Sequence, residues 1–210
     1  PDAVIFDMDG LLIDSERLAR ASTLAVSEQL GHPIPEPVAM RMIGLGNDAL
    51  ERMLRDELGA QFPLTQFRNT WNEHYGALVA QGVPVKAGVL EALTALAAAN
   101  VPCAVATSTQ TRLAHHKLEK AGLLHHFSFV VGRDAVVHGK PAPDLYLHAA
   151  KQLGHRAERC WAFEDSLPGL TAAAASGART HWVPDLAHIH VDDLPAGVET
   201  IDSLHHICSW

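Results

Sequence analysis

The sequence predicts an α/β fold in which a doubly wound parallel sheet carries an inserted, all-helical subdomain. Three observations lead to this prediction. The chain opens with an unbroken apolar run, Val4-Ile5-Phe6, that ends in acidic residues and is typical of a strand buried on both faces. From about residue 15 to residue 81, apolar residues recur at helical spacing without a strand pattern. Beyond residue 83, helical and strand patterns alternate, which implies right-handed crossovers and a Rossmann-like core.

The inserted block is predicted to hold three helices. The first ends near Gly31, the second begins around Asn47 and ends at Gly59, and the third follows. The third helix carries a stripe at helical spacing, made of Phe67, Trp71, Tyr75 and Leu78. Such a stripe is more typical of core packing than of a cofactor site. We therefore expect two domains, an α/β core of residues 1–14 and 83–210 and a helical cap of residues 15–82.

The second part of the chain supplies the remaining strands, with helical patterns between them. The predicted strands end near Ala106, Val131, Phe163 and Val183. The helix after Phe163 has Pro168 in its first turn and Gly177 just past its end, as expected of helix termini. After Pro184 the pattern is weaker, and we expect a short strand near Val198 and a final helical turn.

Composition and charge exclude several classes of protein. The chain has 210 residues, of which 48% are hydrophobic and 19% charged, which is ordinary for a globular protein with a sizeable core. A net charge of -8 argues against nucleic acid as a partner. Polar residues and a proline interrupt the most apolar stretch, so we expect no membrane span. Because Cys103, Cys160 and Cys208 lack the spacing of a disulfide framework, we expect free thiols and a cytoplasmic location.

Polar side chains collect where the predicted strands end. They are Asp7 and Asp9 after the first strand, Thr107 and Ser108 after the second, and Glu164 and Asp165 after a later one. Lys140 lies in a loop restrained by prolines. Because the carboxyl ends of parallel strands share one edge, we expect these groups to converge. Neighbouring carboxylates need a cation, and oxygen ligands suit Mg²⁺. A metal, a lysine and hydrogen-bond donors are the groups that phosphoryl transfer uses.

These residues also carry a resemblance to a known family. In order and in spacing, the chain resembles the four motifs of the haloacid dehalogenase superfamily, with Asp7-Met8-Asp9-Gly10-Leu11, Thr107, Lys140-Pro141 and Glu164-Asp165. The resemblance covers essentially the whole chain. The helical insert after the first motif is similar to the small cap of the β-phosphoglucomutase-like branch. The resemblance implies a phosphoric monoester hydrolase, a phosphatase.

The resemblance further implies a covalent mechanism. Asp7 is then the nucleophile, which attacks phosphorus and forms an aspartyl-phosphate. Asp9 protonates the leaving oxygen and afterwards accepts a proton from the water that cleaves the intermediate. Thr107 and Lys140 bind the transferring phosphoryl group.

A magnesium site follows from the same resemblance. The expected ligands are the Asp7 carboxylate, the Asp9 backbone carbonyl and Asp165, and Glu164 is either a further ligand or a hydrogen-bonded partner of the site. The cofactor implied is therefore Mg²⁺, held entirely by oxygen atoms.

The resemblance also implies contacts to the substrate. The backbone amides of Met8 and Ser108 are expected to donate hydrogen bonds to the phosphoryl group, and Asn47 in the cap loop is expected to contribute to selectivity. The substrate is expected to be a small phosphorylated metabolite, such as a sugar phosphate or pseudouridine 5′-phosphate. No obligate protein partner is inferred.

Differences from other members of the superfamily limit the reactions that this chain is expected to catalyse. Dehalogenases lack the second acid that is present here as Asp9, and phosphonate-cleaving members use a cap lysine, a residue type missing from 15–85. β-Phosphoglucomutase carries a histidine and an arginine where this chain has Ala19 and Asn47. Without that arginine a second phosphate loses its bidentate partner, which favours water as the acceptor over a sugar phosphate. A mutase of the β-phosphoglucomutase type is the alternative within the family.

A different class of function is a non-catalytic phospho-aspartate switch module. Such a module shares the acidic strand end, the threonine and the lysine. It has no need of Asp9 as a proton shuttle or of a helical cap, so the presence of both favours the enzyme.

Overall fold

The computed structural model describes residues 1–42, 47–59, 61–186 and 189–209, and for residues 47–49 it describes the backbone only. Within these described ranges, six strands form one sheet in which every neighbouring pair is parallel. In chain order they are β1 (Ala3–Phe6), β2 (Cys103–Ala106), β3 (Phe129–Val131), β4 (Cys160–Glu164), β5 (Arg179–Trp182) and β6 (Glu199–Thr200). Their order across the sheet is β3-β2-β1-β4-β5-β6. The predicted fold class is thereby confirmed.

The first strand occupies the centre of this sheet. Ile5 of β1 lies opposite Ala104 of β2 on one side and Ala162 of β4 on the other. All four residues of β1 are fully buried, as their unbroken apolar character predicts for a strand covered on both faces. The strand order reverses direction between β1 and β4, and such a switch point is where open α/β sheets bind ligands. The loops after β1 and β4 are therefore where a ligand-binding site is expected.

Helices cover the two faces of the sheet. They are α5 (Val89–Ala98), α6 (Thr111–Lys120), α7 (Asp144–Gln152) and α8 (Leu167–Ala175). On one face α7 and α8 present small buried residues, among them Ala149 and Ala172, to a core cluster that contains Ile5. Alanine side chains let a helix backbone approach the sheet closely. Ser166 caps α8 by accepting a hydrogen bond from the Gly169 amide, and Gly177 beyond the helix has a φ of 87°.

The chain divides into two compact units, Pro1–Asp14 with Val83–Trp210, and Ser15–Gly82. The described part of the second unit contains four helices, α1 (Ser15–Gln29), α2 (Glu36–Arg41), α3 (Asn47–Leu58) and α4 (Leu64–Gln81). It has a core cluster of its own, formed by Val26, Ile34, Val38, Ala39, Leu54, Phe62 and Phe67. Among the described residues, no helix combines the length and apolar character needed to cross a membrane.

The short helix α2 is absent from the sequence-based prediction. Pro35 and Pro37 flank its start and indicate a loop when the sequence is considered alone. Proline is nevertheless compatible with the first turn of a helix, where its missing N–H has no helical partner to lose. Val38 and Ala39 of this helix are buried, so packing of its apolar face stabilises a helix of only six residues.

Candidate active site

A tight turn after β1 carries the first acidic pair. The Asp7 amide donates to the Phe163 carbonyl at 3.0 Å, which continues the pairing with β4. The amides of Leu12 and Ile13 both donate back to the Met8 carbonyl, at 2.9 and 3.1 Å. Gly10 has a φ of 91°, a backbone conformation that residues other than glycine rarely adopt. The turn thus places the Asp7 and Asp9 side chains at the carboxyl edge of the sheet.

Lys140 joins the ends of β1 and β4. Its Nζ atom contacts Asp7 Oδ1, and it donates to Glu164 Oε1 at 2.6 Å. The lysine side chain is 4% exposed, the Asp7 side chain 9% and the Glu164 side chain 0%. Two buried carboxylates on adjacent strands repel one another, and an ammonium shared between them relieves that repulsion.

Glu164 is fixed by a dense set of hydrogen bonds. Its Oε1 atom accepts from Lys140 and from the Tyr146 hydroxyl at 2.8 Å. Its Oε2 atom accepts from the Asp165 amide at 3.1 Å and from the Ser166 amide and hydroxyl at 3.2 and 3.1 Å. These donors use the roughly four lone-pair sites that a carboxylate offers. Glu164 is therefore held in place by protein groups on both oxygens.

The electrostatic environment shifts the pKa values of Asp7, Lys140 and Tyr146. Burial raises the pKa of Asp7 to about 8, Lys140 opposes the rise, and the neighbouring Glu164 and Asp9 carboxylates add to it. Burial acts to lower the pKa of Lys140, but Asp7 and Glu164 outweigh it and the net shift is upward. Burial, followed by the Glu164 charge, raises the pKa of Tyr146 well above its usual value. Lys140 is accordingly a permanent cation, and Tyr146 a neutral donor.

The second acid, Asp9, has different partners. Lys117 of α6 donates to Asp9 Oδ1 at 2.8 Å, and the Thr109 hydroxyl donates to Asp9 Oδ2 at 2.7 Å. Thr107 is buried and its hydroxyl lies 3.5 Å from Asp9 Oδ2, at the limit of a hydrogen bond. The Thr107 hydroxyl also accepts from the Thr109 amide at 3.1 Å. The loop after β2 is therefore tied directly to the loop after β1.

An acidic cluster in this site could hold a metal ion. One carboxylate oxygen from each of Asp7, Glu164 and Asp165 lies within 4.8 Å of the others, and all three residues are buried. An all-oxygen set of this kind fits a hard divalent cation such as Mg²⁺. Lys140 offsets only part of the negative charge of these three buried carboxylates, which is a second reason for the fit.

The structure brings together most residues that the sequence singles out. Asp7, Asp9, Thr107, Lys140, Glu164 and Asp165 all contribute to one connected set of contacts or to the acidic cluster. Among the residues expected to donate backbone amides, Met8 has a buried side chain and Ser108 is exposed. Asn47 begins α3, and its side chain lies outside the described residues.

Three further residues of the site are not predicted from the sequence: Thr109, Lys117 and Tyr146. The sequence does offer an indication for Lys117, because this lysine shares a helical face with Ala114, Leu118 and Ala121, the face of α6 that is predicted to be apolar. A lysine at such a position needs a buried partner. Tyr146 left no such signal, since a tyrosine on the apolar face of a helix is ordinary core packing.

Comparison with known proteins agrees with this geometry. A model of the haloacid dehalogenase-like hydrolase family matches residues 1–177. A phosphorylated carbohydrates phosphatase of Thermotoga maritima is 33% identical over 176 residues, which cover 84% of this chain and 82% of that protein. A Drosophila melanogaster protein named probable pseudouridine-5′-phosphatase is 31% identical over 188 residues, covering 86% and 80%. The crystal structure of a Thermotoga maritima protein that is provisionally named a β-phosphoglucomutase has a TM-score of 0.84 and 30% identity, covering 99% and 96%.

The chain therefore belongs to the haloacid dehalogenase-like hydrolase family, with the β-phosphoglucomutase-like arrangement of a sheet and an inserted helical unit. Within that family it is an enzyme, a phosphatase.

Gly169 provides a test of how tightly Glu164 is held. A Cβ atom at Gly169 would lie 1.8 Å from Glu164 Oε1, so Gly169→Ala must displace this carboxylate from Lys140 and Tyr146. We expect the variant to lose roughly 1–3 kcal/mol of unfolding free energy in urea titrations. Gly76→Ala in α4 is the matched control, because its Cβ meets nothing within 4 Å. The control should gain up to about 1 kcal/mol from helix propensity. Equal stability of the two variants would contradict the assigned position of Glu164.

Proposed function

We propose that the protein is a Mg²⁺-dependent phosphomonoester hydrolase that acts on a small phosphorylated metabolite through an aspartyl-phosphate at Asp7. The observation that carries the proposal is the buried arrangement in which Lys140 contacts Asp7 while Glu164 and Asp165 complete an acidic cluster. This arrangement at the switch point of the sheet supports the assignment of Asp7 as nucleophile, Lys140 as a fixed cation and neighbouring carboxylates as oxygen ligands for a metal. Phosphoryl transfer requires these groups and little else from the protein.

The proposed reaction has two steps. An oxygen of the Asp7 carboxylate attacks phosphorus, the bond from phosphorus to the leaving oxygen breaks, and Asp9 donates its proton to that oxygen. Water then attacks the phosphorus of the aspartyl-phosphate while Asp9 accepts one proton of the water. The bond from phosphorus to the Asp7 oxygen breaks, inorganic phosphate leaves, and the Asp7 carboxylate is restored. Lys140, which contacts Asp7, is placed to offset the negative charge on the phosphoryl oxygens. Thr107 and the amides of Met8 and Ser108 are assigned as further donors to those oxygens.

Asp7, Asp165 and the backbone carbonyl of Asp9 are the groups assigned to hold Mg²⁺. When bound, the ion neutralises charge on the transferring group. Glu164 is assigned as a positioning residue and not as a ligand, since both of its oxygens already accept several hydrogen bonds from the protein. In this role Glu164 fixes Lys140 against Asp7 and orients the backbone that carries Asp165.

The two units are proposed to have different roles, one in catalysis and the other in substrate selection. The unit formed by residues 1–14 and 83–210 contains every residue assigned to the chemistry, and is proposed as the catalytic core. Residues 15–82 are proposed as a cap that selects the substrate, with Asn47 among its selective residues. The free thiols of Cys103 and Cys160 are consistent with a reducing compartment, and we place the enzyme in the cytoplasm.

The relatives support a phosphorylated sugar or nucleoside as substrate. One relative is named for phosphorylated carbohydrates and the other for pseudouridine 5′-phosphate. Both names describe a phosphate on a polar, neutral leaving group. A mutase is the second candidate, supported by the provisional name of the Thermotoga maritima structure.

The reaction class and the metal can be tested together. Purified protein should release inorganic phosphate from members of a panel of phosphorylated sugars and nucleosides in the presence of Mg²⁺. A chelator should abolish release, whereas the same chelator saturated with Mg²⁺ should not. Phosphate release at the full rate in metal-free buffer would contradict the metal assignment. Conversion to an isomeric sugar phosphate would instead identify a mutase, and stable phosphorylation of the protein would identify a switch module.

Asp7→Asn tests the covalent intermediate. The amide is a poor nucleophile, so we expect turnover to fall on the order of 10³-fold or more while the protein stays folded. Acid quenching of the wild type during turnover should trap a base-labile phosphorylated protein that the variant does not form. Asp202→Asn, at an exposed aspartate, is the matched control and should behave as the wild type. A folded Asp7→Asn variant with near wild-type turnover would exclude Asp7 as the nucleophile.

Asp9→Asn tests the general acid through the leaving group. An alkoxide leaving group needs a proton and a nitrophenolate does not, so the loss should depend on the substrate. We expect kcat/KM to fall on the order of 10²–10⁴-fold for a sugar phosphate and far less for p-nitrophenyl phosphate. The same loss for both substrates would mean that the proton comes from another group.

A further inference from the structure

A second buried lysine, separate from Lys140, lies within the site. Lys117 projects from α6, and its side chain is 7% exposed, whereas that of its partner Asp9 is 25% exposed. The lysine donates to Asp9 Oδ1 at 2.8 Å, and Thr109 donates to Asp9 Oδ2 at 2.7 Å. Both oxygens of the Asp9 carboxylate are therefore held by donors from residues 107–120, the loop and helix that follow β2.

Stability alone does not account for a lysine at this position. Lys120 lies one turn further along α6 and is exposed, so this end of the helix does have access to solvent. Lysine side chains normally extend to water when a route exists. Burial of an ion pair costs desolvation energy, and apolar residues of similar volume commonly give equal or greater stability. The position of Lys117 is therefore better explained by what it does to Asp9.

We propose that Lys117 and Thr109 are positioning residues that fix the orientation of the Asp9 carboxyl group for proton transfer. The inference rests on the proposed role of Asp9 as general acid and base. An aspartate side chain has two rotatable bonds, and donors on both of its oxygens restrict both rotations. The two hydrogen bonds are accepted by different oxygens of Asp9, so together they fix the plane of its carboxyl group.

The physical benefit is one of preorganisation. Proton transfer requires a carboxyl oxygen within about 2.6–3.2 Å of the reacting atom, and a freely rotating side chain meets this condition only part of the time. A displacement of about 1 Å in such a group can lower the rate about 10²-fold. The side-chain contacts of Lys140 with acidic residues are instead to Asp7 and Glu164. The two acids of the first motif thus have separate lysines.

The competing role for Lys117 is direct contact with the transferring phosphoryl group. A direct contact would stabilise that group whatever the leaving group is, and would do so with or without Asp9. Positioning of Asp9 would matter only where Asp9 transfers a proton. The dependence on the leaving group and the dependence on Asp9 therefore separate the two roles.

The first experiment compares Lys117→Met with its control Lys120→Met on both substrates. We expect Lys117→Met to lower kcat/KM for a sugar phosphate by up to about 10²-fold, and to lower that for p-nitrophenyl phosphate only a few-fold. Lys120→Met should match the wild type on both. Equal losses of Lys117→Met on the two substrates, or no loss on either, would overturn the inference.

The second experiment is a double-mutant cycle with Asp9→Asn. If Lys117 acts through Asp9, adding Lys117→Met to Asp9→Asn should cause no further loss on the sugar phosphate. A multiplicative loss would overturn the inference in favour of direct contact. The double variant pairs two neutral side chains, so it tests the inference even where Lys117→Met alone fails to fold. Thr109→Val, which removes a neutral donor, should show the same dependence on the leaving group at smaller size.

These outcomes are distinguishable from failure of the proposed function. If Asp9→Asn itself shows equal losses on both substrates, the proposed acid is wrong and the inference falls with it. If Asp9→Asn is selective and Lys117→Met is not, the proposed function stands and the positioning role of Lys117 is wrong. A crystal structure of Lys117→Met supplies a readout independent of activity, since Asp9 should then adopt more than one rotamer. A single unchanged Asp9 rotamer would contradict the inference.

Discussion

The contact of Lys140 with Asp7 and Glu164 is the interaction on which the rest of the site depends. Asp7 follows β1 and Glu164 ends β4, so the pairing of these two strands brings two carboxylates together in the interior. Without a shared cation that juxtaposition would oppose the pairing itself. Tyr146, the amides after β4 and the missing side chain at Gly169 all serve the geometry of Glu164, which in turn holds the lysine. The centre of the sheet and the centre of the chemistry are thus stabilised by the same contacts.

Much of the fold could be predicted because its signals are local. The apolar run of β1, the helical spacing of residues 15–81 and the later alternation each depend on a few neighbouring residues. The convergence of Asp7, Thr107 and Glu164 followed from one global rule, that parallel strands end at one edge. The helix α2 was missed because its prolines indicate a loop, and burial of Val38 and Ala39 outweighs that local preference.

The contacts within the site were less predictable, because they depend on which side chains meet across elements. Nothing in the sequence near Glu164 indicates that Tyr146, 18 residues earlier, would donate to it. Lys117 and Asp9 are 108 residues apart, and their contact depends on how α6 lies against the loop after β1. Lys117 lies on an otherwise apolar face of α6, where a lysine needs a buried partner, but the sequence does not indicate which residue that partner is. Side-chain contacts of this kind depend on how the helices and strands pack together, which the spacing of residue types in the sequence does not determine.

Charge balance connects the two lysines with the expected metal. Among the described residues, those assigned to the chemistry or to the Asp9 contact include four carboxylates, on Asp7, Asp9, Glu164 and Asp165, and two ammonium groups, on Lys140 and Lys117. Fully ionised, these groups leave two negative charges in a largely buried place, which a divalent cation would cancel. A proton offers partial relief in metal-free protein, in agreement with the pKa of Asp7, which burial and the neighbouring carboxylates raise to about 8 against the opposing effect of Lys140. The two lysines therefore offset part of the acidity of this group of residues, and the charge that remains is of the sign that the proposed cation would neutralise.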